Sequence, residues 1–498
     1  MGGSLILAID QSTQATKAYL IDKTGGLVAK AAKPHRQIYP ASGFVEHDPI
    51  ELYRNSLDVI AAVVAEAGVP ASEIDSLCLT NQRETIVAWD AESGEPVHNA
   101  IVWQDERGAS ICAELEAKGF GPLVRERTGL KLDPYFSASK LSWLVRNSPE
   151  ALDTLDSGRL MAGSVDAWLI WNLTGRRVFA TDYSNASRTM LFDIRKLAWD
   201  PELLGLFGLE GILLPEPRCS GAGFGEATLS DPKMTLPISG AMGDSHAALF
   251  GHRGWNPGDA KATYGTGSSL MLNIGAQASP PPPGIVLSLA WGFRGKAAYV
   301  FEGNIHSTGY TLRWLKDNLG LFSNDDEAEA LAAGLADNGG VYFVPAFSGL
   351  GAPYWEHGIR ACITGLSHGS DRRHIVRAGL ESIGFQVMDL VEAMNKGAPA
   401  PLASLRVDGG PSRNAFLMQF QADMLGIPVL APAREELSAL GVAYMGGLGS
   451  GFWASTGEIE GLATDSRRYS PSMAEGERNA LAEGWKSAVA QAISRKVE

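Results

Sequence analysis

Cysteine is scarce in this chain. Cys78, Cys112, Cys219 and Cys362 stand far apart among 498 residues with no Cys-x-x-Cys pair, which excludes a disulfide framework or cysteine metal site and suits a reducing compartment. Positive charge is also short, with 42 Lys and Arg against 56 Asp and Glu and a net charge of −14. That balance disfavours a nucleic-acid groove or an anionic membrane surface, although a local basic site for a phosphate ligand fits within it. Long apolar runs are missing, and Met1–Ile6 passes straight into a strand without a charged leader, so neither export nor membrane spanning is expected. Gly2 does not open a myristoylation signal, because position 6 is Ile. No coiled coil, basic helix or low-complexity tail is present. The expectation is a cytoplasmic protein without nucleic-acid or membrane partners, and 498 residues at 45% hydrophobic content imply two or more globular units.

What is present alternates strands and helices. Leu5–Ile9 reads as a buried strand delivering Asp10, residues 11–16 as a small polar tip, and Lys17–Asp22 as the return strand. Hydroxyls and backbone N–H groups in such a tip suit phosphate oxygens, and an acid at the strand end suits a hydrated magnesium ion. An ordinary surface hairpin would use the same residues. Asp48 reads as an N-cap, Pro49 as the first helical residue, Glu51 as the partner completing a capping box, and Gly68 as the helix end. The strand Ser76–Thr80 runs into Asn81-Gln-Arg-Glu84. Arg83 and Glu84 there suit either vicinal hydroxyls or a surface ion pair. Trp103 and Tyr135 offer a ring wall and a phenol to the same pocket, while aromatic residues in apolar context more often belong to a core.

Midway, the apolar, glycine-punctuated run from Leu236 to Gly243 delivers Asp244. A glycine before the acid lets backbone and substrate approach closely. The carboxylate can take a proton from a hydroxyl, or cap the helix that Ala247–Phe250 begin. Residues 258–274 repeat the opening device of strand, small polar turn and strand. The repetition predicts α/β layering in two halves, 1–248 and 249–498, facing a shared cleft. Later segments predict a stiff loop at Ser279–Gly284, a capped helix from Asp371, and a close-packing helix within Glu436–Gly447. In the turn after Leu405–Asp408, Gly409 and Gly410 mark a close backbone approach.

In this order, the Asp10 turn, Asn81-Gln-Arg-Glu84, the Asp244 stretch, Tyr264-Gly-Thr-Gly267, Val344–Trp355 and Val407-Asp-Gly-Gly410 resemble the FGGY carbohydrate kinases along essentially the whole chain. Phe44–Pro49, Thr80–Thr85, Asn185–Phe192 and Phe416–Gln421 look like the glycerol-acting members of that family. The resemblance implies two actin-like domains of the ribonuclease H type with a central cleft, and transfer of the γ-phosphoryl of ATP to a terminal hydroxyl of glycerol or a close polyol. It implies Asp244 as general base and Arg83, Glu84, Trp103 and Tyr135 as the polyol pocket. Thr13 and Thr266 match phosphate-hairpin positions. Gly309, Gly410 and Asn414 match positions lining the nucleotide, with Gln14, Lys17 and Arg313 near it. Asp10 and Asp244 would face Mg2+, through water. A homodimer and a homotetramer are both compatible with the family.

The departures are informative. Ser245 stands where glycerol-acting members carry Gln, and Ser269 where they carry Phe, which leaves a roomier polar pocket that a four- or five-carbon polyol or ketose such as erythritol, ribulose or xylulose could fill. His246 beside it reads either as a further donor or as a helix residue at the cleft edge. In the first hairpin Ser12, Gln14 and Lys17 replace Gly, a hydroxyl residue and Arg, so Lys17 keeps the charge without the fork. Arg313 replaces Gln. Gly225–Met234 lacks the glycine-rich loop of fructose 1,6-bisphosphate control, so no such regulation is expected. A non-metabolic actin-like ATPase would need the hairpins but no polyol pocket.

Overall fold

The computed structural model describes residues 3–356, 358–434, 436–463 and 465–495. Two main sheets carry the molecule. The first runs Glu226–Ser230, Lys233–Gly243, Ile74–Asn81, Leu5–Gln11, Ala15–Asp22 and Leu27–Pro34. The second runs Val286–Phe293, Lys296–Ile305, Ser268–Gly275, Asp259–Tyr264, Ser404–Gly409, Val429–Pro432 and Ser466–Tyr469. Each contains an antiparallel meander whose first strand also pairs in parallel with a later strand: Leu5–Gln11 with Ile74–Asn81, and Asp259–Tyr264 with Ser404–Gly409. A parallel partner requires a crossover connection, which explains why Pro49–Ala67 lies between Leu5–Gln11 and Ile74–Asn81 in the chain.

The repeated hairpin is thus present twice, with tips at 12–14 and 265–267. Leu27–Pro34 adds a third meander strand that the sequence reading left out. Residues 225–234 contribute an edge hairpin, Glu226–Ser230 against Lys233–Gly243. A separate four-stranded sheet, Glu46–His47, Ala100–Ile101, Ile86–Asp90 and Leu160–Ser164, supports the segments bearing Arg83 and Trp103.

Local capping follows local chemistry. The Asp48 carboxylate accepts from the N–H groups of Ile50 and Glu51, and Gly68 closes the helix in the left-handed region at φ 63°. Glu51 does not complete the expected capping box; it turns to Arg36, accepting from its backbone N–H at 3.3 Å. Asp371 does cap Arg372–Asn395, with His374 as the reciprocal partner.

Helix Leu437–Ser450 packs against helix Asp244–Gly251 and the first sheet. A Cβ on Gly441 would lie 1.7 Å from the Ala247 carbonyl oxygen, and one on Gly251 2.3 Å from that of Leu437. Buried Ile6, Ala8, Cys78 and Met242 share one core with Val442, Met445, Leu448 and Trp453. The expected division after residue 248 therefore falls inside a helix that residues from the end of the chain cover. No helix among the described residues is long and apolar enough to cross a membrane.

Candidate active site

The site forms where strand ends of the two sheets meet. Lys233–Gly243 delivers Asp244 as the first residue of helix Asp244–Gly251, with Gly243 at the N-cap position. Asp244 is therefore not the helix cap. Its Oδ1 accepts from its neighbour's backbone N–H, Ser245 at 2.6 Å, and from Arg83 Nε at 3.2 Å. Its side chain is 35% exposed, and no described protein group donates to Oδ2.

Gly243 has a different reason from the one expected. A Cβ there would fall 2.6 Å from Cγ and 2.8 Å from Cδ of Arg83. The arginine stem makes this close approach, and any side chain at 243 would push the guanidinium off Asp244.

Arg83 and Glu84 leave the strand Ile74–Asn81 in a turn where Glu84 takes φ 62°, a conformation that a non-glycine residue holds only when its surroundings enforce it. The enforcement is visible: Ser137 Oγ donates to the Glu84 carbonyl at 2.9 Å, and Arg188 Nε to its carboxylate at 2.6 Å. Arg83 is buried and forks onto Glu302, Nη1 to Oε2 at 3.1 Å and Nη2 to Oε1 at 3.0 Å. Burial raises the Glu84 carboxyl above its usual range, opposed by Arg83 and Arg188. Burial would raise Glu302 as well, but Arg188 and Arg83 together hold it well below the carboxylate range.

Trp103 and Tyr135 face each other edge to face, with centroids 5.7 Å apart. The Trp103 indole N–H donates to Thr13 Oγ1 at 2.9 Å, so the aromatic wall is tied directly to the first hairpin tip. Tyr135 is held from below by buried Lys140, whose Nζ donates to the carbonyls of Pro134 and Tyr135; burial depresses this ammonium to about 8. The Tyr135 phenol is pushed up by burial and by the charge of Glu84, so it is a neutral donor.

Asp10 is the penultimate residue of strand Leu5–Gln11 and meets Lys17 Nζ at 3.4 Å. Its carboxyl is raised to about 6, by burial first, with Lys17 opposing and the charge of Asp244 adding to the rise. Two carboxylates in mutual repulsion form a site that a divalent cation relieves. Magnesium binds through one or two carboxylates plus phosphates and keeps several waters, so this donor set fits it. No group of three or more His, Cys, Asp or Glu suited to a metal occurs among the described residues.

On the second side, Thr266 is exposed at the tip, and its carbonyl accepts from the N–H groups of Thr308 and Tyr310, each at 3.0 Å. Gly309 opens helix Gly309–Asp317 against the same tip, where a Cβ would lie 2.5 Å from the Gly265 carbonyl oxygen. Arg313 lies exposed on that helix. Gly409, at φ 91°, leaves no room for a Cβ, which would sit 2.0 Å from the Tyr264 carbonyl oxygen, whereas Gly410 faces open space. Of the two expected close approaches, Gly409 makes one with protein, and Gly410 stays open. Asn414 caps helix Ala415–Leu425 through Oδ1 to the Leu417 N–H at 2.8 Å.

Some expected residues sit differently. Gln14 is exposed at the tip of the first hairpin. Ser245 is half-buried beside Asp244, and Ser269 donates its hydroxyl to Glu302 Oε1 at 3.3 Å. His246 is fully buried, at neither a cleft edge nor a solvent-facing donor position; its Nε2 meets Ser288 Oγ at 3.3 Å. Burial and the charges of Arg83, Arg188 and Lys261 lower its pKa, keeping it neutral. Glu302 and Arg188 escaped the sequence reading. The one available signal was an acid within the apolar run Tyr299-Val-Phe301 and the strand that continues it.

Residues 5–251 match the N-terminal domain model of the FGGY family of carbohydrate kinases, and residues 260–450 match its C-terminal domain model. A glycerol kinase of Symbiobacterium thermophilum is 48% identical over 492 residues, covering 99% of each chain. Glycerol kinase 2 of Thermotoga maritima is 47% identical over 488 residues, covering 98% of each. The crystal structure of Plasmodium falciparum glycerol kinase with ADP superposes with a TM-score of 0.92 at 33% identity, over 99% of both chains. Both domain models match in order, and the likeness to these kinases extends from end to end, so the chain belongs to the FGGY family of carbohydrate kinases.

Proposed function

We propose that the protein transfers the γ-phosphoryl of ATP to a terminal hydroxyl of glycerol or a closely related polyol, with Asp244 as general base. The observation that carries this is the state of the Asp244 carboxylate: Oδ1 is engaged by Arg83 and Ser245, and no group among the described residues donates to Oδ2. An oriented carboxylate with one open oxygen at the mouth of two phosphate-compatible hairpins suits proton removal during in-line transfer.

In this reading Arg83, Glu84, Trp103 and Tyr135 surround the polyol, with Ser245 and Ser269 at its far side. Thr13, Gln14, Lys17 and Thr266 approach the phosphates, and Gly309, Arg313, Gly410 and Asn414 line the nucleotide. Asp10 and Asp244 would hold Mg2+ through water, which would screen charge between the phosphates. The halves 1–248 and 249–498 are read as the two domains of the cleft, with helix Leu437–Ser450 covering the first. A cytoplasmic location and a homodimer or homotetramer belong to the same proposal.

A second reading, phosphorylation of a four- or five-carbon polyol or ketose, is favoured by the short Ser269, whose hydroxyl turns to Glu302. Coupled ATP turnover against three- to five-carbon polyols and ketoses, compared as kcat/KM, decides between them. The first reading expects glycerol to rank highest; glycerol inert beside an active longer polyol replaces it with the second. Asp244→Asn is expected to lower kcat by about 10²-fold or more, and near-full turnover would remove Asp244 from the role of base.

A further inference from the structure

Glu302 is fully buried on strand Lys296–Ile305 of the second sheet, yet both arginines that pair with it come from the first half of the chain. Arg83 grips it with both terminal nitrogens, Arg188 Nη1 pairs with Oε2 at 2.7 Å, and Ser269 donates to Oε1. A buried carboxylate is strongly unfavourable unless charge and hydrogen bonds compensate it, and here both oxygens are engaged. The charges alternate along one connected path: Glu84, Arg188, Glu302, Arg83, Asp244.

The geometry points to Glu302 as a positioning residue for phosphoryl transfer: by holding Nη1 and Nη2 of Arg83, it fixes the plane in which Nε meets Asp244 Oδ1 and leaves Oδ2 for the substrate hydroxyl. This rests on the proposed role of Asp244 as base. The fork is specific, because two parallel N–H···O bonds orient a guanidinium plane where a single contact would let it rotate. Gly243 supports the same arrangement, since the stem of Arg83 occupies the space its Cβ would take. Without the carboxylate, Arg83 and Arg188 lose the anion between them, and Arg83 is free to swing both terminal nitrogens onto Asp244 and occupy Oδ2. Glu302 touches no reacting atom; it acts through Arg83.

The test compares Glu302→Gln and Glu302→Asp with Asp244→Asn in the full-length protein, using kcat and KM on the best polyol of the panel and ADP binding by calorimetry. Glu302→Gln is expected to lower kcat by about 10²-fold, with ADP affinity and stoichiometry unchanged within twofold. Glu302→Asp, which keeps the charge but shortens the reach of the fork, should lower kcat by only about tenfold. In an Arg83→Gln background, Glu302→Gln should add little, because both act through one guanidinium. A Glu302→Gln kcat within threefold of the parent overturns the inference, as does parallel loss of kcat and ADP binding. If the Gln variant does not fold, the Asp variant decides: a tenfold loss of kcat with intact ADP binding supports the assignment, and parental kcat refutes it. Full turnover by Asp244→Asn would instead refute the reading of the base, and collapse of Asp244→Asn beside a parental Glu302→Gln would refute only the role of Glu302.

Discussion

The two hairpin tips share one backbone plan and are held by different chemistry. Side chains anchor the first. The Thr13 carbonyl accepts from His35 Nε2 and Gln37 Nε2, each at 2.9 Å, its hydroxyl accepts from Trp103, and Gln82 bridges Gln11 to buried His47. The second is closed mainly by backbone: Gly265 N–H to the Gly267 carbonyl at 2.7 Å, Gly309 N–H to the Gly265 carbonyl at 3.0 Å, and Gly409 pressed against Tyr264, with the Thr308 hydroxyl adding one side-chain donor to the Gly265 carbonyl at 3.1 Å. A tip held by side chains can be adjusted by substitution and by pH. A tip held by backbone contact admits almost no side chain.

Three experiments sharpen or break that contrast, taken from the largest expected effect downward. Gly409→Ala should destabilise the protein by about 3 kcal/mol, combining left-handed strain with backbone collision. Urea unfolding measures it, and a loss below about 1 kcal/mol would mean the second tip yields more easily than its packing implies.

Acid should loosen the first tip. Burial, with neighbouring His35 adding to it, lowers His47 to about 3. A histidine depressed in the folded state takes up protons on unfolding between its folded value and about 6.5, so stability is lost as pH falls through that window. Between pH 7 and pH 5 this amounts to about 2 kcal/mol from His47. His47→Gln keeps a donor for Gln37 and an acceptor for Gln82, and should unfold with that much less dependence on pH. Identical slopes for parent and variant would show that the histidine does not titrate against folding. The backbone groups closing the second tip do not titrate.

Smallest is Thr13→Val, which removes the acceptor of the Trp103 indole N–H at constant volume. A stability loss of about 1 kcal/mol is expected, with a several-fold rise in polyol KM because the aromatic wall loses its tether. Thr13→Ser should restore both. Failure of Ser to restore them would assign the effect to packing of the methyl group.

The legible features were those whose partners lie nearby in the chain. Asp48 and Gly68 delimit their helix through groups two to four residues away, and the two hairpins announce themselves by strand, polar turn and strand. Glu51 misled, because the competing partner, Arg36, arrives from another segment. Family motifs carried Asp244, Arg83, Trp103 and Thr13 as far as a list of roles. They did not reveal that Trp103 donates to Thr13, or that Gly243 exists for the stem of Arg83.

Sequence by itself determined the α/β class and the doubled hairpin, because local hydrogen bonding and apolar periodicity are written in neighbouring residues, and the order of its motifs marked the family. Tertiary structure alone decided which oxygen of Asp244 is engaged, where helix Leu437–Ser450 packs, and that Glu302 sits between two arginines. Those outcomes depend on groups far apart in the chain, 219 positions in the Arg83 fork on Glu302 and still more where helix Leu437–Ser450 packs on Ile6, and a buried ion pair has no local pattern to mark it. Only folding the two sheets together brings its charges within reach of each other.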